Sequence, residues 1–278
     1  MSASWRLIVD GADDGAWNMA VDEALLAAYE RNAAGPSPTL RLYGWSPATV
    51  SLGRSQHDPR THDPDLAIRE GIGLVRRPTG GATVLHEFER TYAVVGTLGT
   101  PPFSSGVVAT YRAIAEALAR GLARLGVPAV AAEPKRGARG IASVCFERVG
   151  DWEITTSGLK LVGSAQARRR RAVLQHGSIP IRLDPERLAS VLGRRVDGAL
   201  FTDLTRSAGR DVDGGALDEA CVLGFEETFR APLRPGSLSE SESLRAAELR
   251  CWKYDSIAWT RDGAVGSRET RWGPRLLD

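Results

Sequence analysis

Cysteine is scarce in this chain, occurring only at 145, 221 and 251. Three thiols cannot all pair, and their spacing fits no zinc pattern, so neither a disulfide framework nor a structural zinc site is expected. Lysine is almost as rare: of 36 basic residues only Lys135, Lys160 and Lys253 are lysines, the rest arginines. No run of about eighteen apolar residues exists, which argues against a membrane span. The N-terminal stretch MSASWRLIVDGADD lacks the basic region and following apolar stretch of a secretory signal. The chain is therefore expected to be cytoplasmic, with reduced thiols. A formal net charge of +2 gives no nucleic-acid footprint. There is no internal repeat and no low-complexity tract. What is present is ordinary for a soluble globular protein: 42% hydrophobic and 25% charged residues, enough to build a core in one large domain or two small ones.

The most informative stretch runs from Ile141 to Ile181. Trp152, Ile154 and Thr156 alternate with Glu153 and Thr155, as in a half-buried strand. Ser157-Gly158 signals a hairpin turn, and Leu159 to Val162 reads as the returning strand. Arg168 to Arg171 form a second turn, followed by a strand from Val173 to Ile181. Cys145 precedes the first strand and Lys160 follows the first turn, so the two can meet at one end of a sheet. Such a meeting has chemical value. The thiolate is the nucleophile, and a free cysteine with a pKa of about 8.5 is only a few per cent ionised at neutral pH. A neighbouring ammonium favours the thiolate. Its natural electrophile is a thioester or another activated acyl group. The small residues Gly163, Ser164 and Ala165 would let backbone N–H groups approach a substrate carbonyl. The plain alternatives are a cysteine buried as a small hydrophobe and a solvated lysine.

Elsewhere, Trp5 to Val9 reads as an edge strand and Gly11 to Gly15 as a turn. Apolar residues at helical spacing predict a helix over 16–31. Strands are predicted at 39–43, 49–53, 73–77 and 92–97, and a short helix at 65–70. Pro78-Thr79-Gly80-Gly81 reads as a turn into a partner strand over 83–86, with Gly80 and Gly81 allowing close backbone approach to a ligand. Alternation puts Arg76 and Arg77 on opposite faces. His86 reads first as a structural histidine. A helix is predicted to about Leu125, with a stripe of Val107, Val108, Tyr111, Ile114, Ala115, Leu118 and Leu122. The charged, glycine-rich loop 133–140 is an exposed connection or a lid. Further helices are predicted at 184–192, 215–230 and 238–254, with Cys221 and Cys251 packed inside and a frayed tail from 261.

The segments ASVCFERVGDWE, GLKLVGSAQ and LQHGSIPI, together with Trp17–Leu26, Arg41–Thr49 and Arg76–Gly81, resemble octanoyltransferases of the LipM type. These belong to the biotin/lipoate protein ligase superfamily. The resemblance spans about residues 5 to 255. It implies an α/β (α+β) fold with a mixed, largely antiparallel sheet and flanking helices, divided into a catalytic domain (1–214), a C-terminal helical extension (215–260) and a tail. It implies that Cys145 carries an acyl thioester and that Lys160 lowers its pKa. It implies a substrate pocket lined by Arg77, Gly80, Gly81, His86, Gly163, Ser164, Ala165, Gln166, His176 and Gly177. The family's Asp after the histidine is Glu87 here. The donor would be octanoyl-acyl carrier protein. The acceptor would be a lysine of a lipoyl-type domain such as glycine cleavage H protein, and no metal, nucleotide or organic cofactor is required. Arg168, Arg169, Arg170 and Arg171 would form either a solvated tip or a docking patch for an acidic partner. The rival readings are an ATP-dependent lipoate ligase, a transferase moving octanoyl from H protein to dehydrogenase subunits, and a non-catalytic binding module.

Overall fold

The computed structural model describes residues 4–31, 37–56, 70–103, 106–132, 153–193 and 195–264. The predicted helix at 65–70 falls almost wholly outside these, as do the 133–140 loop, Cys145 and Trp152. The elements in chain order are β1 (Trp5–Asp13), α1 (Gly15–Arg31), β2 (Thr39–Trp45), β3 (Thr49–Leu52), β4 (Gly73–Arg76), β5 (Val84–His86) and β6 (Glu89–Thr97). There follow α2 (Gly106–Arg124), β7 (Ala129–Ala131), β8 (Ile154–Thr156), β9 (Leu159–Arg168), β10 (Ala172–Pro180), α3 (Pro185–Leu192) and α4 (Leu204–Ala208). The last are α5 (Gly214–Phe229), β11 (Leu233–Pro235), α6 (Glu240–Leu249), a π turn (Arg250–Tyr254) and α7 (Ile257–Asp262).

Eight strands form one sheet in the order β11-β1-β2-β6-β10-β9-β8-β7. The two pairings of β1 are parallel and the other five are antiparallel, the mixed and largely antiparallel sheet expected. Helices cover both faces. Leu40, Leu42, Tyr92, Val94, Val173 and Ile179 point into a core shared with α2 and α5. Their neighbours Tyr43, Ala93, Val95, Ala172 and Leu174 point into a second core with α1, α6 and α7. The alternation is that of any strand, but with both faces covered all nine residues of β10 are buried. The same reason removes the half-buried pattern predicted for β8, whose three residues are all buried. Where α2 crosses α5 the backbones nearly touch. A Cβ on Gly121 would lie 2.5 Å from the Ala220 carbonyl oxygen, and one on Gly224 would lie 2.3 Å from that of Ala117.

A smaller sheet, β4-β3-β5, packs on α3. Here the sequence expectation fails in detail. The strands on either side of the Pro78–Gly81 turn do not form a hairpin; each pairs with β3, one on either edge. The loop is thereby splayed outward, toward β9 and β10. Other departures have equally local causes. β1 runs on to Asp13 because β2 pairs with it that far, so Gly11 lies in a strand. Nor is β1 an edge, since β11 covers it. α2 begins at Gly106, and Val107 and Val108 on its first turn are exposed. β9 extends to Arg168, so the small-residue run lies within a strand. Cys221 is buried as expected, whereas Cys251 is exposed. α7 was not predicted; six residues are too few to show a helical period.

Candidate functional site

The splayed loop closes one side of a cavity against the large sheet. Its lining includes Met19, Tyr43, Trp45, Ser51, Arg77, Gly81, Val84, His86, Thr91, Gly163, Ser164, Ala165, His176 and Gly177. Eight of the ten residues named for the pocket from sequence are among these. The exceptions are Gly80, beside Gly81 in the same loop, and Gln166, whose side chain turns away. The loop is held from within. The Arg77 guanidinium donates to the carbonyls of Ser51 (3.0 Å), Gly80 (2.8 and 3.1 Å) and Ala82 (2.7 Å). Gly81 has φ +92°, and a Cβ there would lie 2.8 Å from Arg77 Nη2. A glycine is therefore required on both backbone and contact grounds. Arg76, pointing the other way, donates to carbonyls of Gly53, Arg54, Gln56, Trp259, Thr260 and Arg261.

His176 is fixed at both nitrogens. Nδ1 lies 2.8 Å from Asp22 Oδ2 and Nε2 lies 2.6 Å from Thr79 Oγ1, so the ring ties α1 to the loop. Asp22 also accepts from Arg41 Nη1 (2.8 Å) and Tyr43 Oη (2.9 Å). Complete burial alone would raise the Asp22 pKa. The His176 hydrogen bond and the Arg41 charge outweigh it, and the carboxyl is held below its ordinary value. Burial pushes the Tyr43 hydroxyl well above its ordinary pKa, and Asp22 adds to the shift, so Tyr43 keeps its proton and donates it to Asp22. His86 Nε2 lies 2.8 Å from Ser51 Oγ, with Trp45 stacked on the ring at 3.9 Å.

Ser164 borders the cavity, but its side chain and that of Gln166 turn to Tyr92 and Gln175. Ser164 Oγ is 2.7 Å from Tyr92 Oη, which accepts from Gln175 Nε2 (3.0 Å), and Gln166 Nε2 donates to Gln175 Oε1 (2.7 Å). Gly177 lies under this cluster, where a Cβ would come within 2.7 Å of the Tyr92 ring. Lys160 follows the Ser157-Gly158 turn, whose two φ angles of +50° and +79° match a type I′ hairpin. Its side chain is buried, and Nζ donates to Glu153 Oε1 at 2.6 Å.

The chain matches the lipoyl protein ligase A/B catalytic domain over residues 14–226. It is 41% identical over 271 residues to the octanoyltransferase LipM of Kyrpidia tusciae, covering 92% of this chain and 98% of that protein. Against the LipM of Moorella thermoacetica the figures are 39%, 93% and 98%. The chain belongs to the LipM octanoyltransferase family. As a LipM-type protein it is an acyltransferase. Its fold is that of lipoate ligases. A lipoate-protein ligase A solved with ATP superposes with a TM-score of 0.78 at 26% identity, covering 93% of this chain and 98% of that one. A T. acidophilum protein of the same kind, with lipoic acid bound, gives 0.77 at 26% identity, with 93% and 99% covered.

The arginine run of this LipM-type chain is not uniformly free. Arg169 donates to Glu23 Oε1 of α1 at 2.7 Å, and the backbone N–H of Arg171 donates to Glu30. Arg168 is half-buried, while the side chains of Arg170 and Arg171 are exposed. Glu87 faces outward and meets Arg187 at 3.4 Å. Sequence reasoning missed Asp22, Tyr43, Trp45, Ser51 and Thr79. One signal for Asp22 was available: two carboxylates, Asp22-Glu23, inside a helix that is otherwise apolar at those turns.

Proposed function

We propose that the protein transfers an octanoyl group from octanoyl-acyl carrier protein to a lysine of a lipoyl-type domain, such as glycine cleavage H protein, in lipoate biosynthesis. The Cys145 thiolate attacks the thioester and releases the carrier thiol. The acyl-enzyme is then attacked by the acceptor lysine, and an amide replaces a thioester, so the second step runs downhill. The observation that carries this reading is membership of the LipM family, with Cys145 in the ASVCFERVGDWE context. The cavity supports it with a lining of Met19, Tyr43, Trp45 and Val84 that suits an unbranched acyl chain. Lys160 supports it as an ammonium positioned by Glu153, beside which a thiolate would be favoured. Gly163 and Ala165 bring small-residue backbone to the same wall.

The rival is ATP-dependent ligation, since one solved relative of 26% identity is a lipoate-protein ligase A bound with ATP. It needs no cysteine nucleophile. Transfer measured with and without ATP and Mg²⁺ separates the two. The expected result is equal turnover in both, and complete loss in Cys145→Ala. Strict ATP dependence would replace this reading with the ligase.

A further inference from the structure

Two imidazoles border the cavity, and their surroundings differ. Both nitrogens of His176 are committed to hydrogen bonds, to Asp22 and Thr79. His86 is bound only through Nε2, 2.8 Å from Ser51 Oγ. Its Nδ1 makes no aligned hydrogen bond among the described residues, and lies 3.4 Å from Glu89 Oε1. Glu89 is also buried; Oε1 accepts from Thr91 Oγ1 at 2.7 Å and Oε2 is unpartnered. Ser51 Oγ accepts from Arg77 Nη1 at 3.0 Å, so its own proton is directed toward His86. The groups facing His86 are thus Ser51 on β3, Glu89 on β6, Arg77 after β4, His176 on β10 and the Trp45 ring on β2.

A buried carboxylate oxygen and a buried imidazole nitrogen, both unpaired, cost free energy at rest. The cost falls when a proton arrives, because an imidazolium at His86 would then lie against the Glu89 carboxylate. Before that, the ring is neutral at pH 7. Burial lowers its pKa, and Arg77 and His176 lower it further against the opposing pull of Glu89. The order Glu89–His86–Ser51 is that of a carboxylate, base and hydroxyl in a catalytic relay.

We propose that Ser51, His86 and Glu89 form a proton relay that serves the acceptor lysine during acyl transfer. This rests on the acyl-enzyme reading above. The lysine enters as an ammonium, with a free pKa of about 10.4. One proton passes to Ser51 Oγ as the proton of Ser51 moves to His86 Nε2, and Glu89 balances the imidazolium. The amine nitrogen then bonds to the acyl carbon and the carbon–sulfur bond breaks. The departing sulfur takes the second proton from nitrogen, giving the amide and the Cys145 thiol. The proton on His86 is finally lost to water.

The test is single-turnover discharge of acyl-enzyme pre-formed on the full chain with octanoyl-acyl carrier protein. Two nucleophiles are compared at neutral pH: apo H protein, whose lysine is protonated, and hydroxylamine, which is not. In His86→Gln and in Ser51→Ala, discharge by the lysine is expected to slow by about 100-fold, within the range for general acid–base catalysis. Hydroxylamine discharge of each variant is the internal reference, so the lysine-to-hydroxylamine rate ratio falls by that factor, and the step in the lysine pH–rate profile set by His86 disappears in His86→Gln, leaving only the rise with ionisation of the lysine itself. Glu89→Gln, which keeps shape and removes charge, guards against misfolding in the other two and slows the lysine reaction alone. Equal slowing of both nucleophiles, or unaltered lysine discharge, would overturn the relay. If no acyl-enzyme forms on the unmutated chain, seen by mass before any nucleophile is added, the acyl-transfer reading falls and the relay with it.

Discussion

Asp22 is the residue on which the interior polar network converges. It accepts from Arg41, Tyr43 and His176 with no exposure to water, and so joins α1, β2 and β10 at one point. Asp22→Asn leaves the Arg41 guanidinium without its buried counter-charge, and the expected cost is about 3–5 kcal/mol. The folded-state pKa of Asp22 lies below the unfolded value of about 3.9. Its contribution is therefore whole above that value and is lost as pH falls through the folded pKa. Thermal melting followed from neutral pH down to about pH 2, through that window, should show a steeper acid decline in the unmutated chain than in Asp22→Asn. Equal slopes would mean that the carboxylate is not held ionised by these partners. Residue-level legibility was uneven. His86, His176 and Gly81 were read from motifs whose spacing survives in sequence. Asp22, Ser51 and Thr79 were not, because each acquires its partner only through tertiary contact between segments apart in sequence: Asp22 of α1 and Thr79 of the loop with His176, Ser51 with His86 across β3 and β5.

At the scale of elements, the alternation of β6 and β10 sorts cleanly onto two cores. Sequence showed the strands but not that both faces were covered, since a continuous apolar run is equally a strand or a buried helix. The misread hairpin at 73–86 has the same origin: the turn was real, but β3 offers both of its edges and separates the two strands. The short α7 depends on Arg76, a side chain far away in sequence. Its guanidinium serves three carbonyls of α7 and three of the 53–56 turn, and Trp259 Nε1 donates back to the Arg76 carbonyl at 2.9 Å. Arg76→Met should cost about 3–5 kcal/mol, the range for losing several buried charge-assisted hydrogen bonds at once. Hydrogen exchange should show 257–262 opening ahead of the sheet. Arg76→Lys should not restore protection, because one ammonium cannot reach donors spread over a planar fork. Unchanged exchange in Arg76→Met would show that α7 is held by packing alone.

At the scale of the whole molecule, the large sheet, the small sheet and α1 all contribute to the cavity, and under the proposed reaction the acyl group reaches it on a carrier protein. Arg170 and Arg171 are exposed at the β9–β10 tip, whereas Arg169 is engaged with Glu23. If the tip steers an acidic carrier, replacing Arg170 and Arg171 by Gln should lower kcat/KM and flatten its dependence on salt, leaving kcat intact. Kinetics with the original salt slope would assign the run to solubility. The architecture and the family were legible because several motifs occur in order along the chain. The geometry around Lys160 was not, since its buried partner Glu153 lies just before the neighbouring strand β8 and carried no signal beyond alternation.

The central claim is that the acyl group rests on Cys145 between donor and acceptor. Intact-mass measurement after mixing with octanoyl-acyl carrier protein, without ATP, tests it most directly. The account predicts one added octanoyl group, mapped to Cys145, removed on adding apo H protein and absent in Cys145→Ala. An unchanged mass during active turnover, or an adduct on another residue, would contradict it.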